Sequence, residues 1–510
     1  MILLPPTVVV DLMKSNDKGE PALTAQDLIG PIEAYRHGLA PAMHIGSTMT
    51  RAASEASAAM QEATVRWFER FGIKNLYTMA IQECANGARQ MAGFAAILQL
   101  IVDPRIQKPG WEIDNIKIGK IDAIVRHADH EPEGFERYSP FMREIRFTSY
   151  DSKTGQQIIP VGDPVYLPSP NSGHPPEYVD ETVKFLLESG RDVRVIACRD
   201  AIDIPLSAGK FDLYDYASGM ARIFNACEGK FHLAPVCQPG PGLAIALAMM
   251  AKAKMMGHNH IHLPEGRSIA WIANPMDTGI NPMEVNEFAT SKIIEWFDKN
   301  AKATVPAVLG YKGAGREIYY GIGQIVAFMM RDPQAHWDTL KKLGVAVKDQ
   351  DITLVKKIEY FFGRRFLVPQ SLPYELYRQT VDEIFIHNRL GKGEFTFTGE
   401  ICGVQFKDER VDLGNIRDIS FLCVQGEVDD ITPGGQCSKS TMRRLFPGVT
   451  NIDEIVVPEA GHTGAFRGSA FKMHALPEML AMFSRNDSPG SPKKIALQPP
   501  RAGYGLGQAA

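Results

Sequence analysis

The stretch Phe231-His-Leu-Ala-Pro-Val-Cys237-Gln-Pro-Gly-Pro-Gly242 decides the fold, and an apolar run over 243–250 follows it at once. This pattern predicts a short hydrophobic strand, a sharp turn and a helix that begins inside the turn. Such a strand–turn–helix unit, a nucleophile elbow, holds one side chain exposed above a sheet. Here that side chain is the thiol of Cys237, and the first N–H groups of the helix point toward whatever the sulfur attacks.

An acid and a base follow Cys237 in the chain order expected for such a nucleophile. Asp429 lies 192 residues after Cys237, directly beyond a predicted strand, and His462 lies 33 residues further, after the last predicted strand. The order nucleophile, acid, base is that of the α/β-hydrolases. We therefore predict an α/β-hydrolase fold with Cys237, Asp429 and His462 as catalytic residues.

Each predicted residue has a physical task. His462 would take the thiol proton, since the thiolate is the nucleophile, and Asp429 would orient the imidazole. The N–H of Gln238 would supply one donor of an oxyanion hole, and the loop at Ser172 and Gly173, after an early predicted strand, would supply another.

Alternatives stand beside these predictions. Asp430 is adjacent to Asp429, but the spacing from the preceding glycine favours Asp429, and Asp430 could instead cap the next turn. His462 could also be an exposed histidine in a plain turn. The three histidines at 258, 260 and 262 could bind a metal if extended, but no carboxylate or thiol completes the set, so we predict an exposed loop and no metal site.

Alternating strands and helices from about residue 140 indicate a mainly parallel sheet with helices on both faces. The predicted strands cover 144–149, 164–167, 193–198, 232–237, 268–274, 419–425 and 454–457, and the predicted helices cover 177–189, 212–227, 241–256, 438–446 and 472–484. We divide the chain into an N-terminal helical extension and connector (1–120), a catalytic domain (121–485) and a disordered, proline-rich tail (486–510). A largely helical lid insertion, rich in aromatic residues, is predicted at about 285–415.

The N-terminal extension carries an amphipathic pattern. Apolar residues recur at steps of three and four along one predicted helix: Met49, Ala53, Ala56, Met60, Ala63, Trp67 and Phe71. A second helix is predicted over 74–101, and a connector over 103–119. We expect the apolar face to pack on the main domain rather than adsorb to a hydrophobic surface, because buried amphipathic faces are the usual case.

Composition excludes several classes of protein. The net charge of −4 lacks the basic excess of a nucleic-acid-binding protein. Seven scattered cysteines without a CxxC pair indicate free thiols in a reducing compartment. No signal peptide and no apolar run long enough to span a bilayer is apparent, so we expect a cytoplasmic protein.

Several stretches together resemble the intracellular polyhydroxybutyrate depolymerases, relatives of the polyhydroxyalkanoate synthases. They cover about 160–475: 171–174, 199–207, 211–216, 236–239, 274–286, 426–436 and 461–468. The resemblance implies an α/β-hydrolase with a Cys–His–Asp triad, namely Cys237, His462 and Asp429. It implies hydrolysis of poly(3-hydroxybutyrate) through an acyl-enzyme at the surface of storage granules, without a cofactor.

Other functions stay open at this point. A synthase-like acyltransferase would use the same residue order, but synthases favour a small glycine-rich motif around the cysteine and a histidine directly after the aspartate. Gln238, Pro239 and Asp430 occupy those places here. A granule-associated binding protein with a degenerate site and a general thioesterase or small-ester hydrolase are further alternatives. The sequence does not decide whether the chain forms homo-oligomers.

Overall fold

The computed structural model describes residues 40–70, 113–282, 301–321, 333–366 and 368–498, with short pieces at 26–33, 82–92, 110–111, 298 and 324–325. Sixteen strands lie within this described part of the chain. They are β1 (Asn115–Ile118), β2 (Ile121–His130), β3 (Met142–Asp151), β4 (Gln157–Ile159), β5 (Val161–Pro168), β6 (Arg191–Cys198), β7 (His232–Leu233), β8 (Ser268–Ile272), β9 (Lys302–Thr304), β10 (Glu317–Tyr319), β11 (Leu372–Pro373), β12 (Thr396–Ile401), β13 (Val404–Arg410), β14 (Ser420–Gly426), β15 (Asn451–Val457) and β16 (Ala496–Gln498).

The α-helices of the described residues flank these strands. They are α1 (Ala40–Arg70), α2 (Asp180–Glu188), α3 (Leu213–Asn225), α4 (Pro239–Met255), α5 (Pro333–Lys348), α6 (Ile352–Ile358), α7 (Tyr374–Thr380), α8 (Arg389–Lys392), α9 (Lys439–Leu445), α10 (Gly468–His474) and α11 (Leu476–Arg485). In the described residues, no helix combines the length and the apolar character that a membrane crossing needs.

One large sheet organises the fold. Its strands follow the order β1-β2-β3-β6-β5-β7-β8-β14-β15. The pairs from β6 to β15 are parallel, whereas β1, β2 and β3 pair antiparallel with one another and β3 pairs antiparallel with β6. This strand order, with α4 leaving the sheet directly after β7, is that of the α/β-hydrolase fold, and it confirms the predicted fold class.

The core lies on both faces of the parallel strands. Every residue of β8 and β14 is buried, as expected for strands covered by helices on both sides. Helix α4 is buried on nearly all sides from Pro239 to Ala253. A helix that is apolar all round is stable only inside a protein, so the turn at Cys237 precedes a deeply buried helix.

The N-terminal edge of the sheet differs from the prediction. The connector predicted over 103–119 ends in β1, which forms a hairpin with β2. Only the first half of β2 alternates exposed and buried positions, and four exposed residues in a row follow, so its period-two signal is weak. The division of the chain at residue 120 itself stays a prediction.

The insertion at about 285–415 is less helical than predicted. It contains helices α5 to α8, but also the three-stranded sheet β9-β10-β11 and the hairpin β12-β13. The strands are short, and short strands give weak period-two signals. Residues 285–297, 322–323 and 326–332 of the insertion lie outside the described residues.

The tail predicted to be disordered from residue 486 is ordered up to Gln498. Asp487 forms an ion pair with Arg191 at 2.7 Å, and β16 pairs with β4. A buried arginine on another strand requires a carboxylate, and composition alone does not reveal that demand. Residues 499–510 lie outside the described residues.

Helix α1 presents its apolar face to solvent, so the expectation that this face packs on the main domain is wrong for the described residues. Met49 and Met60 are 68% and 69% exposed, and Ala53 and Ala56 are also exposed. The opposite face packs inward at Ala58. Ion pairs from that side, Arg51 to Glu359 and Glu62 to Arg89, fix the helix in this orientation. Of the helix predicted over 74–101, only helical pieces between 82 and 92 are described.

Candidate active site

Cys237 lies in a strained turn between β7 and α4. Its φ of 64° falls in the left-handed region, which non-glycine residues rarely adopt. Two backbone contacts hold it there: its N–H donates to Ile272 O at 2.9 Å, and its carbonyl accepts from Gly240 N at 3.2 Å. Strain of this kind persists only where the surroundings over-determine it, as they do at functional turns.

Asn274, just after β8, holds the backbone of the elbow through its side chain. Its side-chain amide donates to Cys237 O at 2.6 Å and to Pro235 O at 3.3 Å. Gly240 is required for this approach, because a Cβ at that position would lie 2.6 Å from the Asn274 Cβ. The glycine-rich turn is thus explained by close packing of the helix on the neighbouring strand.

The start of α4 has few free backbone donors. Pro239 and Pro241 carry no N–H group, and the N–H of Gly240 bonds to Cys237. Among the described residues, no acceptor pairs with the N–H of Gln238. This donor directly follows the nucleophile candidate, which is the position that an oxyanion hole uses.

Asp429 and His462 meet at the carboxyl edge of the sheet. The Nδ1 atom of His462 lies 2.9 Å and 3.1 Å from the two carboxylate oxygens of Asp429. The carboxylate is held by the N–H groups of Ile431 and Thr432, which donate to Oδ1 at 2.9 and 2.8 Å. Asp429 is buried, whereas Asp430 is exposed. The structure therefore brings Asp429, and not its neighbour, to the imidazole.

The loops that carry this acid and this base are bound to each other. Val428 N donates to Ala460 O at 3.0 Å, and a Cβ on Gly426 would lie only 2.4 Å from the same oxygen. Because β14 and β15 are adjacent parallel strands, their ends emerge side by side and this close approach is the natural consequence.

His462 also interacts with Cys237. Since Nδ1 faces Asp429, Nε2 is the ring nitrogen left for the sulfur. Burial alone would lower the pKa of His462, but the negative charges of Cys237 and Asp429 outweigh it and hold that pKa well above 6.5.

The loop after β5, which contains Ser172 and Gly173, is bound to the insertion. Gly173 has a φ of 76°, and its carbonyl accepts from Gln370 N at 2.8 Å. His174 Nε2 lies 3.1 Å from Phe366 O, and burial lowers the pKa of His174 to about 4, so it is neutral. Donation by Ser172 or Gly173 to an oxyanion remains a prediction.

A narrow cavity opens beside Gln238. It is lined by residues of the β5 loop, of α3 and of the insertion: Asn171, Leu213, Tyr216, Gln238, Leu372, Leu376, Tyr377 and Thr380. Sequence reasoning missed the tyrosines here and also missed Tyr178, whose pKa is raised by burial and, to a smaller extent, by the charge of Cys237. Spacing could not reveal them, because they come from three separate segments.

One group of side chains in the described residues has metal-ligand character: Asp163, His232 and Asp487, whose ligand atoms lie within 4.8 Å of one another. It lies at the opposite, amino edge of the sheet. Arg191 and Arg267 form ion pairs with its two carboxylates at 2.7 and 3.1 Å. Two cations already balance two anions there, so the residues fit an ion-pair network better than a divalent cation.

A family comparison extends this picture. Residues 273–487 match the family described as "PHB de-polymerase C-terminus". Over these residues the chain is similar to that family. The matched segment includes Asp429 and His462, whereas Cys237 and the β5 loop precede it. The match confirms the predicted family resemblance and supports ester hydrolysis. No curated protein matches the chain.

Solved structures give only a loose likeness. Carboxylesterases of the thaumarchaeon Nitrososphaera gargenis share 13% identity over 73% of this chain and 99% of theirs, with a TM-score of 0.38. The Bacillus subtilis carboxylesterase CesB shares 11% identity over 78% and 98%, with a TM-score of 0.34. A bromoperoxidase from Bacillus anthracis shares 14% over 72% and 99%, with a TM-score of 0.34.

Proposed function

We propose that this protein hydrolyses the ester bonds of poly(3-hydroxybutyrate) with Cys237 as nucleophile, His462 as base and Asp429 as the orienting acid. The contact that carries the proposal is the imidazole of His462, which bonds through Nδ1 to Asp429 and interacts with Cys237 on its other side. A buried thiol, imidazole and carboxylate in series are the parts that nucleophilic acyl transfer needs.

The first half of the proposed reaction acylates the thiol. Cys237 passes its proton to Nε2 of His462, and the thiolate attacks the ester carbonyl carbon. The negative oxygen of the tetrahedral intermediate accepts from Gln238 N, with a second donor from the loop at Ser172 and Gly173. When the carbon–oxygen bond breaks, His462 returns the proton to the departing alkoxide, which leaves as a hydroxyl end.

The second half releases the acid. His462 takes a proton from water, the resulting hydroxide attacks the thioester, and the carbon–sulfur bond breaks to regenerate Cys237. The raised pKa of His462 suits the first half of the reaction, since it favours transfer of the thiol proton to the imidazole. Asp429 stabilises the positive imidazole in both halves.

The test is incubation with native polyhydroxybutyrate granules while released 3-hydroxybutyrate is measured. We expect Cys237→Ala to lose release by at least about 10³-fold and Cys84→Ala, which changes an exposed cysteine, to keep it. Mass spectrometry of the quenched wild-type protein should find a 3-hydroxybutyryl group on Cys237. Full release by Cys237→Ala would refute the cysteine mechanism.

A parallel incubation with 3-hydroxybutyryl-CoA distinguishes hydrolysis from polymer synthesis. We expect free 3-hydroxybutyrate or no reaction, and no polymer. Polymer formation would instead assign the chain to the acyltransferases. Binding to granules without any turnover by the wild type would assign it to the granule-binding proteins.

The exposed apolar face of α1 supports contact with a granule. Met49, Ala53, Ala56 and Met60 lie along one side of the helix and all are exposed. Methionine adapts its shape to irregular apolar surfaces, and an amorphous polyester offers such a surface. We propose that this face adsorbs to the granule while the sheet edge performs the chemistry.

Sedimentation with granules tests this contact. The double variant Met49→Lys/Met60→Lys should sediment less than wild type and still cleave a soluble ester, because the face lies outside the site. The matched control is Thr50→Lys/Ser57→Lys, which leaves the apolar face intact. Equal sedimentation of wild type and the methionine variant would overturn the role of α1.

A further inference from the structure

The cavity beside Gln238 contains a buried hydroxyl that the proposed mechanism does not use. Tyr216, in the first turn of α3, is 1% exposed, and its hydroxyl has no hydrogen-bond partner among the described residues. Leaving such a group buried and unpaired destabilises the fold. An unpaired hydroxyl at the edge of an active site therefore requires an explanation.

Tyr216 lines this cavity together with Asn171. The side chain of Asn171, which lines the same cavity, comes close enough to lower the pKa of the hydroxyl without making a bond of ordinary geometry. Burial outweighs this and raises the pKa well above 10, so the hydroxyl stays a proton donor throughout the neutral range. It is therefore a hydrogen-bond donor carried by a residue that lines the cavity beside Gln238.

Packing fixes the ring in this position. A Cβ on Gly242 in the first turns of α4 would lie 3.0 Å from Cδ1 of Tyr216, so the glycine leaves the space in which the ring rests. The helix that carries Tyr216 begins with a capping box formed by Asp212 and Asp215. A donor held between two helices in this way is preorganised, which is how binding sites obtain specificity.

We propose that Tyr216 determines acyl specificity by donating a hydrogen bond to the oxygen on the third carbon of the acyl unit. The inference rests on the proposed function. The neighbouring wall is apolar, from Leu213 and Leu376, and suits the methyl end of a short acyl chain. A 3-hydroxyacyl group satisfies the buried hydroxyl, whereas a plain acyl group of equal length leaves it unpaired.

Two soluble esters test the proposal: p-nitrophenyl 3-hydroxybutyrate and p-nitrophenyl butyrate. We expect the wild type to prefer the hydroxy ester by about tenfold or more in kcat/KM. In Tyr216→Phe the preference should fall to near one, because kcat/KM drops about tenfold further for the hydroxy ester than for butyrate. Tyr214→Phe, on the same helix, is the matched control and should keep the wild-type ratio.

The outcomes distinguish failure of the specificity role of Tyr216 from failure of the proposed function. An unchanged preference in Tyr216→Phe, or an equal loss for both esters, would show a structural role and overturn the specificity assignment. Circular dichroism and the melting temperature of Tyr216→Phe identify such a structural loss. Cleavage of both esters by Cys237→Ala at the wild-type rate would overturn the proposed function instead, whatever the tyrosine does.

Discussion

Two buried histidines of this protein have the same partner type and opposite electrostatics. His462 lies 2.9 Å from Asp429 at the carboxyl edge of the sheet, and His232 lies 3.1 Å from Asp487 at the amino edge. Both rings are nearly inaccessible to solvent. The pKa of His462 is raised, whereas the pKa of His232 is lowered.

The difference in pKa between the two histidines comes from the charged groups around each ring. Burial disfavours the charged ring in both places. At the carboxyl edge the negative charges of Cys237 and Asp429 outweigh burial. At the amino edge burial outweighs the opposing effect of Asp487 and Asp163, and the positive charge of Arg191 adds to burial. A His–Asp pair is therefore no sign of catalysis by itself. What surrounds it decides whether the ring can hold a proton.

Replacing each histidine should give the largest contrast between the two edges. We expect His462→Gln to lower kcat on a soluble 3-hydroxybutyrate ester by at least about 10³-fold, because the base is lost. His232→Gln should leave kcat close to wild type and lower the melting temperature, because Asp487 loses a buried partner. A large loss of kcat in His232→Gln without unfolding would break the comparison.

The two aspartates sharpen the contrast. Asp429→Asn should lower kcat by about 10³- to 10⁴-fold with little change in melting temperature, since it disturbs the tautomer and the charge of the imidazole. The matched control Asp430→Asn, at the exposed neighbour, should retain wild-type kcat. If Asp430→Asn proved the more damaging change, the assignment of the acid would be wrong.

At the amino edge the effect of the same substitution should appear in stability. Asp487→Asn should lower the free energy of unfolding by about 3 kcal/mol, because Arg191 is left buried without its carboxylate. Urea denaturation measures this loss, and kcat of the folded fraction should not change. Unchanged stability would show that the ordered tail contributes nothing to the fold.

The pH dependence gives the smallest but most specific contrast. The pKa of His462 lies above 6.5, so its protonated ring stabilises the fold fully below pH 6.5, and this contribution is lost as pH rises through the raised pKa. For His232, with a lowered pKa, the contribution is present above pH 6.5 and is lost as pH falls.

Imidazole NMR measures both rings directly. At pH 7.5 we expect a protonated His462 and a neutral His232. In Cys237→Ala the pKa of His462 should fall, because the negative charge of the sulfur is removed, and the pKa of His232 should not move. A neutral His462 in the wild type would contradict the raised pKa of its imidazole.

Local sequence patterns predicted much of the fold. Most strands and helices from β3 to α4, and again from β14 to α11, were predicted to within a few residues, because apolar runs and helical spacing are local properties. The prediction missed β4, and the helix predicted over 472–484 is two helices, α10 and α11. The regions where prediction failed depend on distant partners. The order of the tail at Asp487 requires Arg191 and His232, and the exposed face of α1 depends on the ion pair between Arg51 and Glu359.

By itself, the sequence determined the elbow, the parallel sheet and the chain order of Cys237, Asp429 and His462, since strand ends and turns depend on adjacent residues. Only the tertiary structure decided that Asp429 rather than Asp430 meets the imidazole and that Tyr216 lines the cavity beside Gln238. It also placed two arginines beside the second His–Asp pair. Such contacts join residues far apart in the chain, and burial and charge act through space rather than along the sequence.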